Sequence, residues 1–166
     1  MKGDSKGNGF KLREATGHDI PLLSVHHRKM FEEIWEKKGQ PIDISAGDEM
    51  EQAYSRKLST ELAAGSCKSW LVEQGDQVVA SGAITVVNFV PTPNDLSSKT
   101  AYMHSIYTEP GSRGQNLASR IVIAALEYCK ANGIRRVLLS ASKAGKPIYE
   151  RIGFVSSPEM MRISLE

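Results

Sequence analysis

The segment SIYTEPGSRGQNLA, residues 105–118, decides the fold that we predict for this chain. It starts in a strand-like run over 101–108, passes through a polar turn with two glycines, and enters a helical pattern over 117–132 without a break. Small side chains at Gly114 and Ala118 let a ligand approach the backbone, and the first turn of a helix presents N–H groups at the positive end of its dipole. These features predict an anion-binding turn, most naturally for a phosphate. An ordinary tight turn is the alternative that these residues alone leave open.

Strand and helix patterns on both sides of this segment predict an α/β sheet. A capping box from Thr16 to Asp19 marks the start of the first helix, and residues 74–77 are typical of a hairpin turn. The predicted strands are 10–14, 69–73, 78–87, 101–108, 137–140, 154–155 and 161–165. The predicted helices run from the capping box to about residue 38 and over 48–64, 117–132 and 147–152, with a loop over 42–47. This order favours a sheet that is antiparallel at one side.

The composition is typical of a globular protein with one domain. The chain has 166 residues, of which 40% are apolar and 24% charged, and its net charge is +2. This length fits a single domain over 10–166, preceded by a polar, flexible tail over 1–9. The basic residues are scattered, which argues against a nucleic-acid partner. No apolar run is long enough for a membrane span or a signal peptide, so we expect no membrane partner and a cytoplasmic protein.

The cysteines and histidines predict no metal site. Cys67 and Cys129 lie far apart and match neither metal nor redox spacing, so we expect two buried or half-buried thiols in a reducing compartment. His26 and His27 are adjacent, and adjacent residues of a helix point in different directions. A zinc site at this pair is therefore not expected.

The predicted phosphate turn resembles the acyl-CoA signature of the GNAT N-acyltransferases, whose core is R/Q-x-x-G-x-G/A after a strand. Arg113 matches the first position of that core, Gly114 is the glycine that usually follows it, and Ala118 matches the last position. Asn116 departs from the pattern, because the family usually has glycine there. Asparagine is the non-glycine residue that best tolerates left-handed backbone angles, so we expect the turn to survive with extra side-chain atoms near the pyrophosphate.

Further segments carry the same resemblance along the chain. Residues 147–154, PIYERIGF, are similar to the L-Y-E-x-L-G-F run that closes the family's domain. Residues 12–21 resemble the family's first strand and helix start, and residues 70–82 resemble its central hairpin. Because these segments occur in the family's order, the chain is identified as a member of the GNAT superfamily from residue 10 to residue 165.

The resemblance implies the GNAT fold, of the α/β (α+β) class: a mixed, mostly antiparallel twisted sheet, splayed between the fourth and fifth strands, with helices on both faces. The gap between these strands is expected to hold the pantetheine arm of acetyl-CoA, and main-chain amides of the turn are expected to hold its pyrophosphate. Ser142 stands where the family often has an asparagine that binds pantetheine. The cofactor-binding residues implied in this way are Ile106, Tyr107, Thr108, Arg113, Gly114, Gln115, Asn116, Leu117, Ala118 and Ser142.

Acetyl transfer to an amine needs a neutral amine, a polarised thioester carbonyl and a proton for the departing thiolate. Tyr149 matches the family's tyrosine beside the CoA sulfur and is the candidate general acid, with a packed aromatic ring as the alternative. His104 lies on the fourth predicted strand, where some relatives carry a base, and it is the candidate general base. A packed or exposed strand histidine is the alternative for His104. Glu33 is the candidate substrate-binding residue, with an ordinary surface carboxylate as the alternative.

Together these residues predict an N-acetyltransferase that passes the acetyl group of acetyl-CoA to a primary amine by direct attack in a ternary complex. A small-molecule acceptor is favoured over a protein, and no metal is expected. Dimers are usual in the family, so a homodimer is one option. A non-catalytic acyl-CoA sensor on the same fold is the main alternative. A nucleotide-binding enzyme is disfavoured, because the chain lacks both G-x-x-x-x-G-K-S/T and G-x-G-x-x-G.

Overall fold

The computed structural model of the chain describes residues 9–165, in which a five-stranded sheet has the order β1-β2-β3-β4-β5. The strands are β1 (Phe10–Glu14), β2 (Cys67–Gln74), β3 (Gln77–Asn88), β4 (Lys99–Thr108) and β5 (Arg136–Leu139). Neighbouring strands from β1 to β4 are antiparallel, and β4 and β5 are parallel. The mixed, mostly antiparallel sheet is therefore confirmed. The tail predicted for residues 1–9 lies outside the described residues except for Gly9.

Helices cover both faces of this sheet, as predicted. They are α1 (Ile20–Lys37), α2 (Ile44–Ala64), α3 (Leu117–Ala131) and α4 (Lys146–Ile152). On one face Leu23 of α1 and Leu58 of α2 join a buried apolar cluster with Leu71 of β2. On the other face Ile121 and Val122 of α3 are fully buried in a larger cluster. Two apolar layers thus fix the sheet between α1 and α2 on one side and α3 on the other.

Local signals in the sequence predict the first helix and the hairpin correctly. The capping box is present, since the Thr16 amide donates to Asp19 Oδ2 over 2.7 Å. Arg13 binds the same carboxylate and holds the pKa of Asp19 at about 2. The β2–β3 turn has Gly75 at φ +59°, the left-handed geometry that glycine adopts without steric cost.

A β-bulge divides β4 into two halves. Tyr107 pairs with Ser81 and His104 pairs with Ala83, so Ser105 and Ile106 together face the single residue Gly82. The pairing of β4 with β5 extends only over Thr100–Met103 and Arg136–Leu139. Within residues 9–165, no residue of β5 pairs with β4 beyond Met103. The sheet therefore parts between its fourth and fifth strands, as predicted.

The predicted strands over 154–155 and 161–165 are wrong. Residues 154–165 have no strand structure, and Val155, Met161, Ile163 and Leu165 expose 81–94% of their surface. The alternation of apolar residues favours a strand locally, but a strand needs a partner for its backbone groups. Within residues 9–165, β5 pairs with β4 and no strand lies on its other edge.

The loop predicted over 42–47 is also shorter in the structure, because α2 begins at Ile44. Asp43 caps this helix through a 3.0 Å hydrogen bond that its Oδ1 accepts from the Ala46 amide. Gly47 is buried in the first turns of α2, where the Arg28 side chain packs beside it. A capping aspartate thus starts the helix four residues earlier than predicted.

In the part of the chain that the structure covers, residues 9–165, no helix has the length and apolarity needed to cross a membrane.

Close packing at the bulge leaves no room for a side chain at Gly82. A Cβ atom there would lie 2.3 Å from Ile106 Cδ1 and 2.8 Å from Ile121 Cγ2. We therefore expect Gly82→Ala to lower the free energy of unfolding by about 1–3 kcal/mol, measured by urea denaturation. Gly17→Ala is the matched control, because nothing lies within 4 Å of the added atom. Equal stabilities of the two variants would contradict this reading of the bulge.

Candidate active site

The turn between β4 and α3 has the backbone geometry of an anion site. Pro110–Ser112 form one turn of 3-10 helix, and α3 starts at Leu117. Between them Gly114 and Asn116 adopt left-handed conformations, at φ +78° and +59°. Left-handed residues in a turn bring successive N–H groups to one concave side, and the first N–H groups of a helix have no acceptor within the helix. Asn116 thus adopts the left-handed geometry predicted for it.

This turn is anchored at both ends. The Glu109 amide donates to the Val79 carbonyl over 2.8 Å, and the Ser112 amide donates to Glu109 over 2.9 Å. Leu117, the first residue of α3, is buried in the core beneath the sheet. The turn therefore keeps its shape through contacts with the core, and its concave side does not have to form around a ligand.

Arg113 and Glu33, predicted in separate sites, bind each other. The Arg113 Nη2 donates to Glu33 Oε1, and its Nε donates to the Thr108 carbonyl over 2.9 Å. The guanidinium also lies 5.8 Å from the ring centre of Tyr107. This ion pair joins α1 to the start of the turn. The cofactor contact predicted for Arg113 and the substrate contact predicted for Glu33 both stay predictions.

The side chains of Ile106 and Tyr107 turn away from the gap between the strands. Ile106 packs with the apolar cluster on the α3 side. Tyr107 is buried against α1, with its ring centre 4.9 Å from that of His26, and its hydroxyl donates to Glu109 over 3.3 Å. Burial, together with the Glu109 charge, raises the pKa of Tyr107 to about 12. Backbone groups are therefore what these residues can offer to a ligand in the gap.

Tyr149 and Ser142 lie after β5 on the opposite side of the gap. Tyr149 is half-buried on α4 and contacts Phe154 edge-on, with 5.8 Å between ring centres. Burial raises the pKa of the Tyr149 hydroxyl, so it stays protonated at neutral pH, as a proton donor must. Ser142 is exposed, and its Oγ accepts a 3.1 Å hydrogen bond from the Gly145 amide. In the structure Ser142 thus stabilises the turn that leads into α4.

His104 belongs to a polar cluster on the α1 side of β4. Its Nε2 lies 2.9 Å from Thr85 Oγ1, and its Nδ1 lies 3.0 Å from Ser105 Oγ and 3.3 Å from the Tyr54 hydroxyl. His27 of α1 reaches the same serine, with its Nδ1 2.8 Å from Ser105 Oγ. Ser105 is 7% exposed and sits at the bulge with φ +56°. The bulge therefore aims one hydroxyl at two imidazole rings.

Burial keeps both rings neutral. It lowers the pKa of His27 to about 4 and that of His104 to about 4, the second with a contribution from the Lys57 charge. The ring of His27 stacks on Tyr54 at a centre distance of 3.9 Å and an angle of 12°. Neutral imidazoles can accept a proton on one nitrogen and donate from the other. This cluster is thus equipped to move protons beside the gap between β4 and β5.

Sequence reasoning missed His27, Ser105 and Tyr54 as site residues. It weighed His27 only as a metal ligand with His26 and treated Tyr54 as part of a surface helix. One signal was available: Tyr54, Lys57 and Glu61 recur at helical spacing and share one face of α2. Nothing in the sequence indicated that Ser105 would face α1, because the bulge that turns it has no sequence signature of its own here.

For residues 9–165 the structure shows no group of three or more His, Cys, Asp or Glu side chains that could hold a metal ion. Cys67 and Cys129 are buried free thiols, as predicted, and burial raises the pKa of each.

Comparisons with known proteins point to one family. Residues 27–154 match the sequence model of the acetyltransferase (GNAT) family. An uncharacterized N-acetyltransferase of Escherichia coli (strain K12), YjgM, is 25% identical over 148 residues, which cover 86% of this chain and 80% of the relative.

Two solved structures share the fold. A predicted acetyltransferase from Clostridium acetobutylicum, crystallised with acetyl-CoA, has a TM-score of 0.82 and 26% identity, covering 93% of this chain and 96% of that one. A GCN5-related N-acetyltransferase from Ralstonia eutropha JMP134 has a TM-score of 0.82 and 25% identity, covering 94% of this chain and 99% of that one.

The buried imidazoles predict a loss of stability in acid. The pKa values of His27 and His104 are about 4 in the folded protein, against 6.5 ordinarily, so the unfolded chain binds more protons between these pH values. The stabilisation is complete above about pH 6.5 and is lost as the pH falls toward 4, by at most about 1.4 kcal/mol per pH unit and ring.

Urea denaturation at about pH 7.5, 6 and 5 measures this loss. The His104→Gln variant removes one titrating ring, so its stability should fall less steeply over the same range. A free energy of unfolding that stays constant from pH 7.5 to 5 would show that the rings are not buried as neutral groups.

Proposed function

The chain belongs to the GNAT family of acetyltransferases, and from this we propose that it transfers the acetyl group of acetyl-CoA to a primary amine. The amine attacks the thioester directly in a ternary complex, and we favour a small molecule over a protein as the acceptor. The observation that carries the proposal is the coincidence of two features on one strand. The left-handed turn with Gly114 and Asn116 follows β4, and β4 is the strand that parts from β5.

Backbone groups are proposed to hold acetyl-CoA. The amides from Arg113 to Ala118 would bind the diphosphate at the positive end of α3. Main-chain groups of 106–108 would bind the pantetheine arm in the gap, since their edge of β4 has no partner in β5 among the described residues. A solved relative with 26% identity holds acetyl-CoA, which supports this assignment.

Tyr149 is proposed as the general acid. The neutral amine attacks the thioester carbonyl carbon, the C–S bond breaks, and the departing thiolate takes a proton from the Tyr149 hydroxyl. The Tyr149 hydroxyl is protonated at neutral pH, and burial, which raises its pKa, makes it a weaker acid than a free phenol. A thiol has an ordinary pKa of about 8.5, below that of the phenol, so part of the Tyr149 contribution is a hydrogen bond that its hydroxyl donates to the developing thiolate.

His104 is proposed as the general base, which takes up a proton from the amine indirectly, through a neighbouring hydroxyl. Its ring is neutral because burial lowers its pKa to about 4. Both ring nitrogens already have hydroxyl partners, Thr85 on Nε2 and Ser105 on Nδ1. A proton therefore reaches or leaves His104 through these hydroxyls. Glu33 remains the proposed acceptor contact on α1, beside Arg113.

Amine-dependent release of the CoA thiol tests the function. Acetyl-CoA is incubated with the protein and a panel of small primary amines and peptides, and thiol release is compared with the rate without amine. We expect release to depend on at least one small amine. Tight binding of acetyl-CoA with no release beyond hydrolysis for any amine would favour the sensor instead. Stabilisation by ATP or NAD above that by CoA would favour a nucleotide-binding enzyme.

Substitution of Tyr149 tests its role. Tyr149→Phe should lower kcat by about 10²-fold, the lower range for a positioned proton donor, while the Kd for acetyl-CoA changes little. Tyr128→Phe is the matched control. Tyr128 lies on α3, is half-buried against Trp70 of β2, and takes no proposed part in the reaction. Unchanged turnover in Tyr149→Phe would remove this tyrosine from the mechanism.

A further inference from the structure

A continuous series of hydrogen-bonding groups runs from α1 along one face of the sheet to α2. It starts at His27, whose Nδ1 lies 2.8 Å from Ser105 Oγ. Ser105 Oγ lies 3.0 Å from His104 Nδ1, and His104 Nε2 lies 2.9 Å from Thr85 Oγ1. Thr85 Oγ1 donates to Glu61 Oε2 over 3.4 Å. Glu61 is paired with Lys57, and its side chain is 30% exposed, so this end of the hydrogen-bonded series is in contact with solvent.

Each inner member of this chain can both donate and accept. A hydroxyl has one proton and free lone pairs, and a neutral imidazole carries its proton on either nitrogen. In one direction each group donates to the next from His27 to Glu61. In the other direction Thr85 donates to His104, His104 to Ser105, and Ser105 to His27, while Thr85 accepts from Lys57 Nζ over 2.9 Å. Passing one proton along the chain converts the first arrangement into the second.

We propose that this chain is a proton relay, in which Ser105 and His27 act with His104 to carry the proton of the acceptor amine to Glu61. The proposal rests on the proposed function. As the C–N bond forms, the amine N–H bond breaks and the proton binds Nε2 of His27. The Nδ1 proton of His27 then moves to Ser105, the Ser105 proton to His104 Nδ1, the His104 Nε2 proton to Thr85, and the Thr85 proton to Glu61. One proton enters and one leaves, and no inner group keeps a charge.

The geometry at Ser105 supports a role beyond packing. A serine at φ +56° is strained by roughly 1–2 kcal/mol relative to an ordinary strand conformation. This conformation places Oγ between the two rings, while the residue is 7% exposed. Tyr54 holds the rings in place, stacked on His27 and edge-on to His104 with 5.9 Å between centres.

Substitution of Thr85 tests the relay without replacing either histidine. Thr85→Val keeps the shape and removes the hydroxyl that joins His104 to Glu61, so kcat should fall about tenfold or more, part of the 10²–10⁴ that proton transfer contributes. The KM for acetyl-CoA should stay unchanged. Thr85→Ser keeps the hydroxyl and should stay within about twofold of wild type. In wild type and Thr85→Ser, the solvent deuterium isotope effect on kcat should arise from more than one transferred proton. In Thr85→Val it should arise from at most one.

Two results would overturn the relay while leaving the acetyltransferase in place. One is wild-type kcat with an unchanged isotope effect in Thr85→Val. The other is an equal loss of kcat in Thr85→Ser and Thr85→Val, which would assign the loss to packing. Absence of amine-dependent turnover in wild type would instead contradict the proposed function, and with it the role of the relay in acetyl transfer.

Nitrogen-15 NMR of the histidine rings tests the connection without turnover. Thr85 contacts His104, and the hydrogen-bonded series joins it to His27 through His104 and Ser105. We expect Thr85→Val to shift the ring-nitrogen signals of both His104 and His27 at neutral pH, and Thr85→Ser to leave them near wild type. An unchanged His27 in Thr85→Val would show that the chain is not coupled and would overturn the relay.

Discussion

The bulge in β4 is the constraint on which the rest of the structure depends. Two residues, Ser105 and Ile106, occupy the space opposite Gly82, and the extra residue bends the strand. Glycine is required at that point because any side chain would collide with Ile106 and Ile121. The pairing of β4 with β5 stops at Met103, two residues before Ser105. The aim of the Ser105 hydroxyl at two imidazole rings thus follows from one local irregularity of the sheet.

Helix α1 connects the parts that this bend separates. His27 reaches Ser105 at the bulge, Lys29 donates to Glu109 over 2.6 Å, and Glu33 binds Arg113 at the turn. Exposed ion pairs of this kind contribute little stability each. Their effect is positional, because side chains on two successive turns of one helix contact the strand, its end and the turn that follows it. A movement of α1 would therefore displace the bulge and the turn together.

Burial decides the charge state of the polar cluster. A charged imidazole away from water is costly, and the low pKa values of His27 and His104 express that cost. Hydroxyls and neutral rings satisfy one another without any net charge, which suits an apolar setting. The same setting favours a neutral amine over an ammonium ion, and a neutral amine is the form that attacks a thioester.

The sequence by itself determined the features that depend on neighbouring residues. The turn at 113–118, the helix after it, the capping box at Thr16 and the hairpin at 74–77 were all predicted, because their propensities act over a few residues. Only the tertiary structure decided which distant groups meet: Arg113 with Glu33, and Ser105 with His27. It also left residues 154–165 without a strand, despite their alternating pattern. Such outcomes depend on what packs against a segment, and this information is not contained in the segment itself.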